Sequence, residues 1–136
     1  MRRNIIGLLA LAGLIAAVVP AMAHHSFSAE FDNTKQVEMK GYVTKIEWTN
    51  PHVWFYINVI DPATGKATRW GFEMGPPHGL QGRGWTRDTM KIGDEVIVNG
   101  SRAKDGSNRA NARSVVLAKT GERFGTASSE NQADQQ

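Results

Sequence analysis

The 136-residue chain contains no cysteine. Disulfides, thiolate metal sites, a cysteine nucleophile and a lipid-modified cysteine are thereby excluded, so an exported domain of this sequence must be held by its core alone. The short motifs of common catalytic chemistries are also missing. There is no Gly-x-Ser-x-Gly elbow, no phosphate-binding loop and no His-Glu-x-x-His helix. Glu73 and Asp88 are carboxylates, but nothing in their spacing sets them across a cleft as paired-carboxylate hydrolysis requires. The expectation is that the protein is not an enzyme. Excess charge is scarce as well, at 16 basic against 13 acidic residues. Two of the basic residues, Arg2 and Arg3, fall in an N-terminal segment that reads as removable, which leaves 14 against 13. That balance gives no support to a polyanion-binding role, and nucleic acid is not an expected partner.

A hydrophobic run long enough to cross a membrane is the last absence. The apolar stretch Ile5 to Val19 is shorter than the roughly 20 residues a bilayer demands. It follows Arg2-Arg3 and ends in Ala21-Met22-Ala23, which puts small residues at the −3 and −1 positions before His24. This is the pattern of a secretory signal. Residues 1–23 are therefore read as a signal peptide, the location as periplasmic, and the mature chain as beginning at His24 with no stable membrane span. The 113 residues that follow suffice for one small domain with one core.

Residues 24–36 show no sustained period and read as an irregular lead-in, pinned to the domain by Phe27 and Phe31. Val37 to Trp48 reads as a long strand, with a bulge or bend expected at Gly41. After the Asn50-Pro51 turn, Val53, Phe55, Ile57 and Val59 alternate with Trp54, Tyr56, Asn58 and Ile60, the period of a strand with one apolar face. Asp61 to Lys66 supplies a hairpin loop, Ala67 to Met74 a third strand, and Gly75-Pro76-Pro77 its end. One short helix is expected around Thr86 to Met90, then strands at Glu95–Gly100 and Ala112–Leu117, the last reaching toward Phe124. Residues 125–136 are small, polar and non-periodic, and read as a disordered tail. A meander of three strands, a helical connection and a final hairpin match a five-stranded OB-like barrel over residues 37–124, an all-β fold with a small helical insertion. A small β-sandwich is the alternative.

Three stretches carry a family likeness: His24-His25-Ser26-Phe27, Glu47-Trp48-Thr49-Asn50-Pro51-His52-Val53-Trp54, and Arg102 to Arg113 with its Arg-Ala-Lys-Asp-Gly-Ser-Asn-Arg-Ala-Asn-Ala-Arg sequence. With them the chain resembles a family of small exported bacterial proteins of unknown function. The resemblance implies export and a compact β domain, and brings no activity or residue roles.

Candidate functional residues follow from the expected barrel, whose ligand face lies on the second and third strands between two loops. His52 sits in the first loop and the cationic turn with Arg102, Lys104, Arg109 and Arg113 in the second. Trp54 and Tyr56 should point outward beside Arg69, a stacking platform with a charged neighbour, unless Phe27 and Phe31 fold over them. Trp70 and Phe72 should face inward, Arg69 and Glu73 outward. The arginines of the turn can clamp an anion, or pair with local acids such as Asp105. A histidine exposed by cleavage offers its α-amino and imidazole nitrogens to one metal ion. His24, His25, His52 and His78 are accordingly the candidate ligands, with copper the fitting cofactor and zinc an alternative. The leading functional expectation is a periplasmic binding module for a small ligand or envelope protein. Copper handling through His24, and a structural or assembly role in the cell envelope, are the alternatives.

Overall fold

The structure, a computed structural model, describes residues 26–130. The expected signal segment, His24, His25 and residues 131–136 lie outside the described residues. In chain order the elements are α1 (Ser26–Glu30), β1 (Phe31–Glu47), β2 (Trp54–Ile60), β3 (Ala67–Glu73), α2 (Pro77–Gln81), β4 (Glu95–Ala103), β5 (Arg109–Leu117) and β6 (Arg123–Gly125). Five strands form a closed ring in the order β3-β2-β1-β4-β5. The seam is a parallel pairing of Gly71–Glu73 with Arg109–Asn111, and every other pairing is antiparallel. Past the seam, β6 takes up the same edge of β5 at Ser114–Val116.

Alternation builds the interior. Phe55 and Ile57 of β2 and Phe72 of β3 have no exposed surface, and Trp70, Val43, Val96, Val98, Ala110, Ala112 and Val115 join them in one core. The Phe55 and Phe72 rings stack at 5.4 Å between centroids. Leu80, Trp85 and Met90, from the connection between β3 and β4, extend the same cluster. The strands bend sharply enough to close because two glycines let backbones approach. A Cβ at Gly41 would strike the Asn58 carbonyl of β2, and one at Gly100 the Asn111 carbonyl of β5. The expected bulge is displaced from Gly41: β1 and β2 change register between Val43 and Lys45, leaving Thr44 unpaired with its hydroxyl donating to the Tyr56 carbonyl at 3.2 Å.

Four sequence expectations are corrected. The lead-in is ordered from Ser26, as one helical turn that feeds directly into β1 six residues before Val37. Phe31 pairs with Ala103 and Asp32 with Arg102, the register breaks, and pairing resumes at Gln36 with Ser101. Phe27 of α1 and Phe31 at the start of β1 are both buried, with ring centroids 5.8 Å apart. The helix expected at Thr86–Met90 stands instead at Pro77–Gln81. Pro77, read as a strand terminator, also fits the first helical position, where its missing N–H costs nothing. Near Thr86 the backbone is drawn into turns by local hydroxyls, with the Thr86 amide donating to Thr89 Oγ1 at 2.8 Å. Glu73 occupies the outer face of β3 as alternation requires, yet it is only 6 % exposed. Finally, residues 126–130 of the expected tail are packed: Thr126, Ser128 and Glu130 are buried, and the Gly75 amide bonds the Thr126 carbonyl at 2.8 Å.

Candidate functional site

The outer face of β1, β2, β3 and β5 is arranged in rows. One row runs Glu47, Trp54, Glu73, Asn111, and the next runs Lys45, Tyr56, Gly71, Arg109. α1 lies on the first row only. Phe27, Phe31 and Ala103 form a small cluster against which Trp54 packs, and α1 is tied down where Lys104 donates from its amide to the Glu30 carbonyl and from Nζ to the Ser28 carbonyl. A cleft of about 140 Å³ opens beside it, lined by Phe27, Phe31, Lys104 and Glu130 among others. The second row stays open. The two outward aromatics of β2 are both half-buried but have different neighbours, Trp54 packing against α1 and Tyr56 sitting among charged side chains.

Beyond Trp54 the first row is polar and buried, at Glu73 and Asn111. Glu73 Oε1 lies 3.0 Å from His52 Nδ1 and 3.4 Å from Asn111 Nδ2. Burial pushes the Glu73 carboxyl up to about 7, and the nearby Glu30 carboxylate adds to this; the Asn111 amide and the Arg109 charge work against it. Asn111 has no exposed surface and accepts a hydrogen bond from the Ser128 hydroxyl. Farther along, Glu130 accepts from the Ser101 hydroxyl at 3.1 Å and pairs with Arg113 Nε at 3.2 Å, while Arg113 also reaches Gln36 at 3.1 Å. This polar chain runs from His52 to Arg113 along the seam, under the packed residues 126–130. Sequence reading did not anticipate Asn111, Ser101 or Glu130 in it, because their burial depends on strands far apart in the chain.

The open row carries charge around one ring. Tyr56 leans over Gly71, where a Cβ would meet its Cε1 at 3.1 Å. Its hydroxyl donates to Glu47 Oε2 at 3.1 Å, and burial together with that bond raises the phenol's pKa. The Arg69 guanidinium sits 4.7 Å from the ring centroid and Lys45 Nζ 5.5 Å. Lys45 is paired with Glu47.

The cationic turn divides its residues among local partners. Arg109 pairs with Asp105 at 3.0 Å and donates to Ser107. Bonds from the Ser107 hydroxyl and amide, with Arg109, hold the Asp105 carboxyl down at about 2. Arg102 lies over Trp70, 5.5 Å from its ring, and donates to the Gly106 carbonyl. The predicted site residues are thus brought together in two groups: His52 and Trp54 with the buried row, and Tyr56, Arg69 and Arg109 with the open row. His78 is exposed on α2. No three histidine, aspartate or glutamate side chains are grouped as a metal site among the described residues.

Residues 11–112 match a family of unknown function, DUF6152. The chain belongs to that family. The matched stretch takes in the ring from β1 into β5, with His52 and both rows of the outer face, so these features lie within the part of the chain that defines DUF6152 membership. No curated protein and no solved structure matches the chain.

Proposed function

We propose that this DUF6152 protein is an exported, non-enzymatic binding module built on an OB-like barrel, which recognises a small ligand or an envelope partner at the rim formed by His52, Tyr56, Arg69 and the turn after β4. The barrel reading is supported by the closed strand order, with a helix inserted between β3 and β4. The observation that carries the binding reading is the half-covered outer face. α1 packs on Trp54 and stops, leaving Arg69 and Arg109 exposed around a half-buried Tyr56. An uncovered row of aromatic and cationic side chains on a rigid sheet is suited to recognition. The test is an isotope-labelled chain beginning at His24, mixed with low-molecular-mass fractions of cell envelope. Shifts should concentrate on His52, Tyr56 and Arg69. Shifts confined to the exposed turn Lys119 to Glu122, at the opposite end of β5, would refute the rim.

One observation favours copper handling as a second reading. With a buried carboxyl 3.0 Å from Nδ1, His52 is held in one orientation and its Nε2 edge is left for a ligand, the carboxylate–histidine pairing that supports metal-binding imidazoles. His24 would supply the amino and imidazole nitrogens. Calorimetric titration of copper into the chain beginning at His24, its His52→Ala variant and a form with one added N-terminal residue separates the readings. Loss of affinity in both altered forms supports copper; equal affinities in all three rule it out.

A further inference from the structure

Resting on the reading of the open row as a ligand surface, we propose that this row together with Arg69, which reaches over it from the neighbouring row, is an anion subsite, in which Arg69 seated on Tyr56 takes a carboxylate or phosphate group of the ligand. From sequence, Tyr56 is a platform on which a flat ring can lie. The geometry takes that plane away. One side of the ring is laid over Gly71, and Arg69 and Lys45 crowd it at 4.7 and 5.5 Å. The phenol is tethered to Glu47. What the row presents to solvent is a guanidinium, not an aromatic plane.

The local pairing of charges then singles out one cation. Lys45 is matched by Glu47, and Arg109 by Asp105. Arg69 projects from the outer face of β3 opposite Asn58; the acid whose charge it feels is Glu47, whose oxygens are already taken by Lys45 and the Tyr56 hydroxyl. Among the described residues it makes neither a salt bridge nor a side-chain hydrogen bond. A guanidinium held over an aromatic ring and making no other side-chain bond keeps N–H donors free and has less rotational freedom to lose on binding, which suits it to the two-pronged recognition of carboxylate or phosphate. Arg109, across Gly71 from Tyr56, adds positive potential while its own donors are spent on Ser107 and Asp105. A neutral sugar or an apolar ring would find neither a bare stacking face nor a pocket here.

The experiment uses the chain beginning at His24 and three probes: inorganic phosphate, glucuronate and glucose. Nuclear magnetic resonance should show phosphate and glucuronate moving the Arg69 side-chain Nε–H and the Tyr56 ring, with millimolar affinity that weakens at high salt, as an exposed charge contact must. Glucose should move neither. Arg69→Gln should weaken the anions about tenfold, with Arg69→Lys in between, while amide spectra away from the row stay unchanged and certify the fold. The relative strength of phosphate and glucuronate tells which anion the subsite prefers. Binding of glucose equal to glucuronate, anion binding unaltered in Arg69→Gln, or no anion response at Arg69 would overturn the assignment. A neutral envelope ligand that binds the rim equally well in Arg69→Gln would remove the anion subsite and leave the binding module standing. No response of the rim to any probe or envelope fraction would remove both.

Discussion

Replacing Glu73 by glutamine should flatten the pH dependence of stability, and the size of the effect can be worked from its surroundings. The carboxyl is nearly enclosed, at 6 % exposure, and its pKa is displaced from the ordinary 4.5 to about 7, chiefly by burial. Between those two values the folded chain holds one proton more than the unfolded chain. Stability contributed by this group is therefore full below about pH 4.5 and falls as pH rises through about 7. At about 1.4 kcal/mol per pH unit the full loss is about 3 kcal/mol. Glutamine is neutral throughout and keeps a carbonyl oxygen for Asn111 Nδ2, so the variant should lose this slope without losing that bond. Urea unfolding of both proteins from pH 4.5 to 8 reads the difference directly. Equal slopes, or a wild-type stability that Glu73 raises between pH 5 and 8, would mean that His52, 3.0 Å away, acts as a counter-charge strong enough to outweigh burial.

Three further perturbations separate the layers of the fold. Phe55→Ala, in the ring interior and stacked on Phe72, should cost about 3 to 5 kcal/mol in denaturant unfolding. Trp54→Ala, half-buried under α1, should cost about 1 to 2 kcal/mol and speed amide exchange in Ser26–Glu30; equal costs with α1 undisturbed would contradict the interior–exterior assignment. Ending the chain at Gly125 strips the Ser128 bond from Asn111 and leaves Arg113 without Glu130, which should lower stability by about 2 to 3 kcal/mol; an unchanged unfolding midpoint would show that residues 126–130 contribute nothing to packing.

What could be read from the sequence was what short-range patterns encode. Val53 to Ile60 alternates strictly, and the side of every residue from Trp54 to Val59 follows from that period. The glycine–proline punctuation marked the end of β3, but the same prolines served a second purpose as a helix start, which composition alone cannot distinguish. The beginning of β1 was hidden because Asp32 to Lys35 has no period. Its strand character comes from β4, some 70 residues away in the chain. Glu73, Asn111 and Glu130 carried no local sign of burial, since only the β3–β5 seam and the returning C-terminal segment enclose them. The hydroxyl-rich run Thr126 to Ser129 was the available clue, and such a run is equally the composition of an unfolded tail. At the rim, the pairing of Arg109 with Asp105 was within reach of sequence, being local. The seating of Arg69 on Tyr56 required knowing which residues stand side by side on neighbouring strands.

The seam has a consequence for how the molecule opens and closes. β1, β2 and β3 are successive in sequence, and β4 and β5 form a hairpin, so each of those groups can assemble from nearby segments. The join between β3 and β5 is different in kind: it is short, parallel, and links residues almost forty positions apart. It can form only after both halves exist. A hoop with one weak joint parts there first, and the amides of Gly71 and Glu73 should exchange with solvent through partial openings that leave the middle of β1 and β4 protected. The carboxyl of Glu73 and the amide of Asn111 face each other across that joint, so any event that recharges or displaces them acts at the point where the ring is easiest to unclasp.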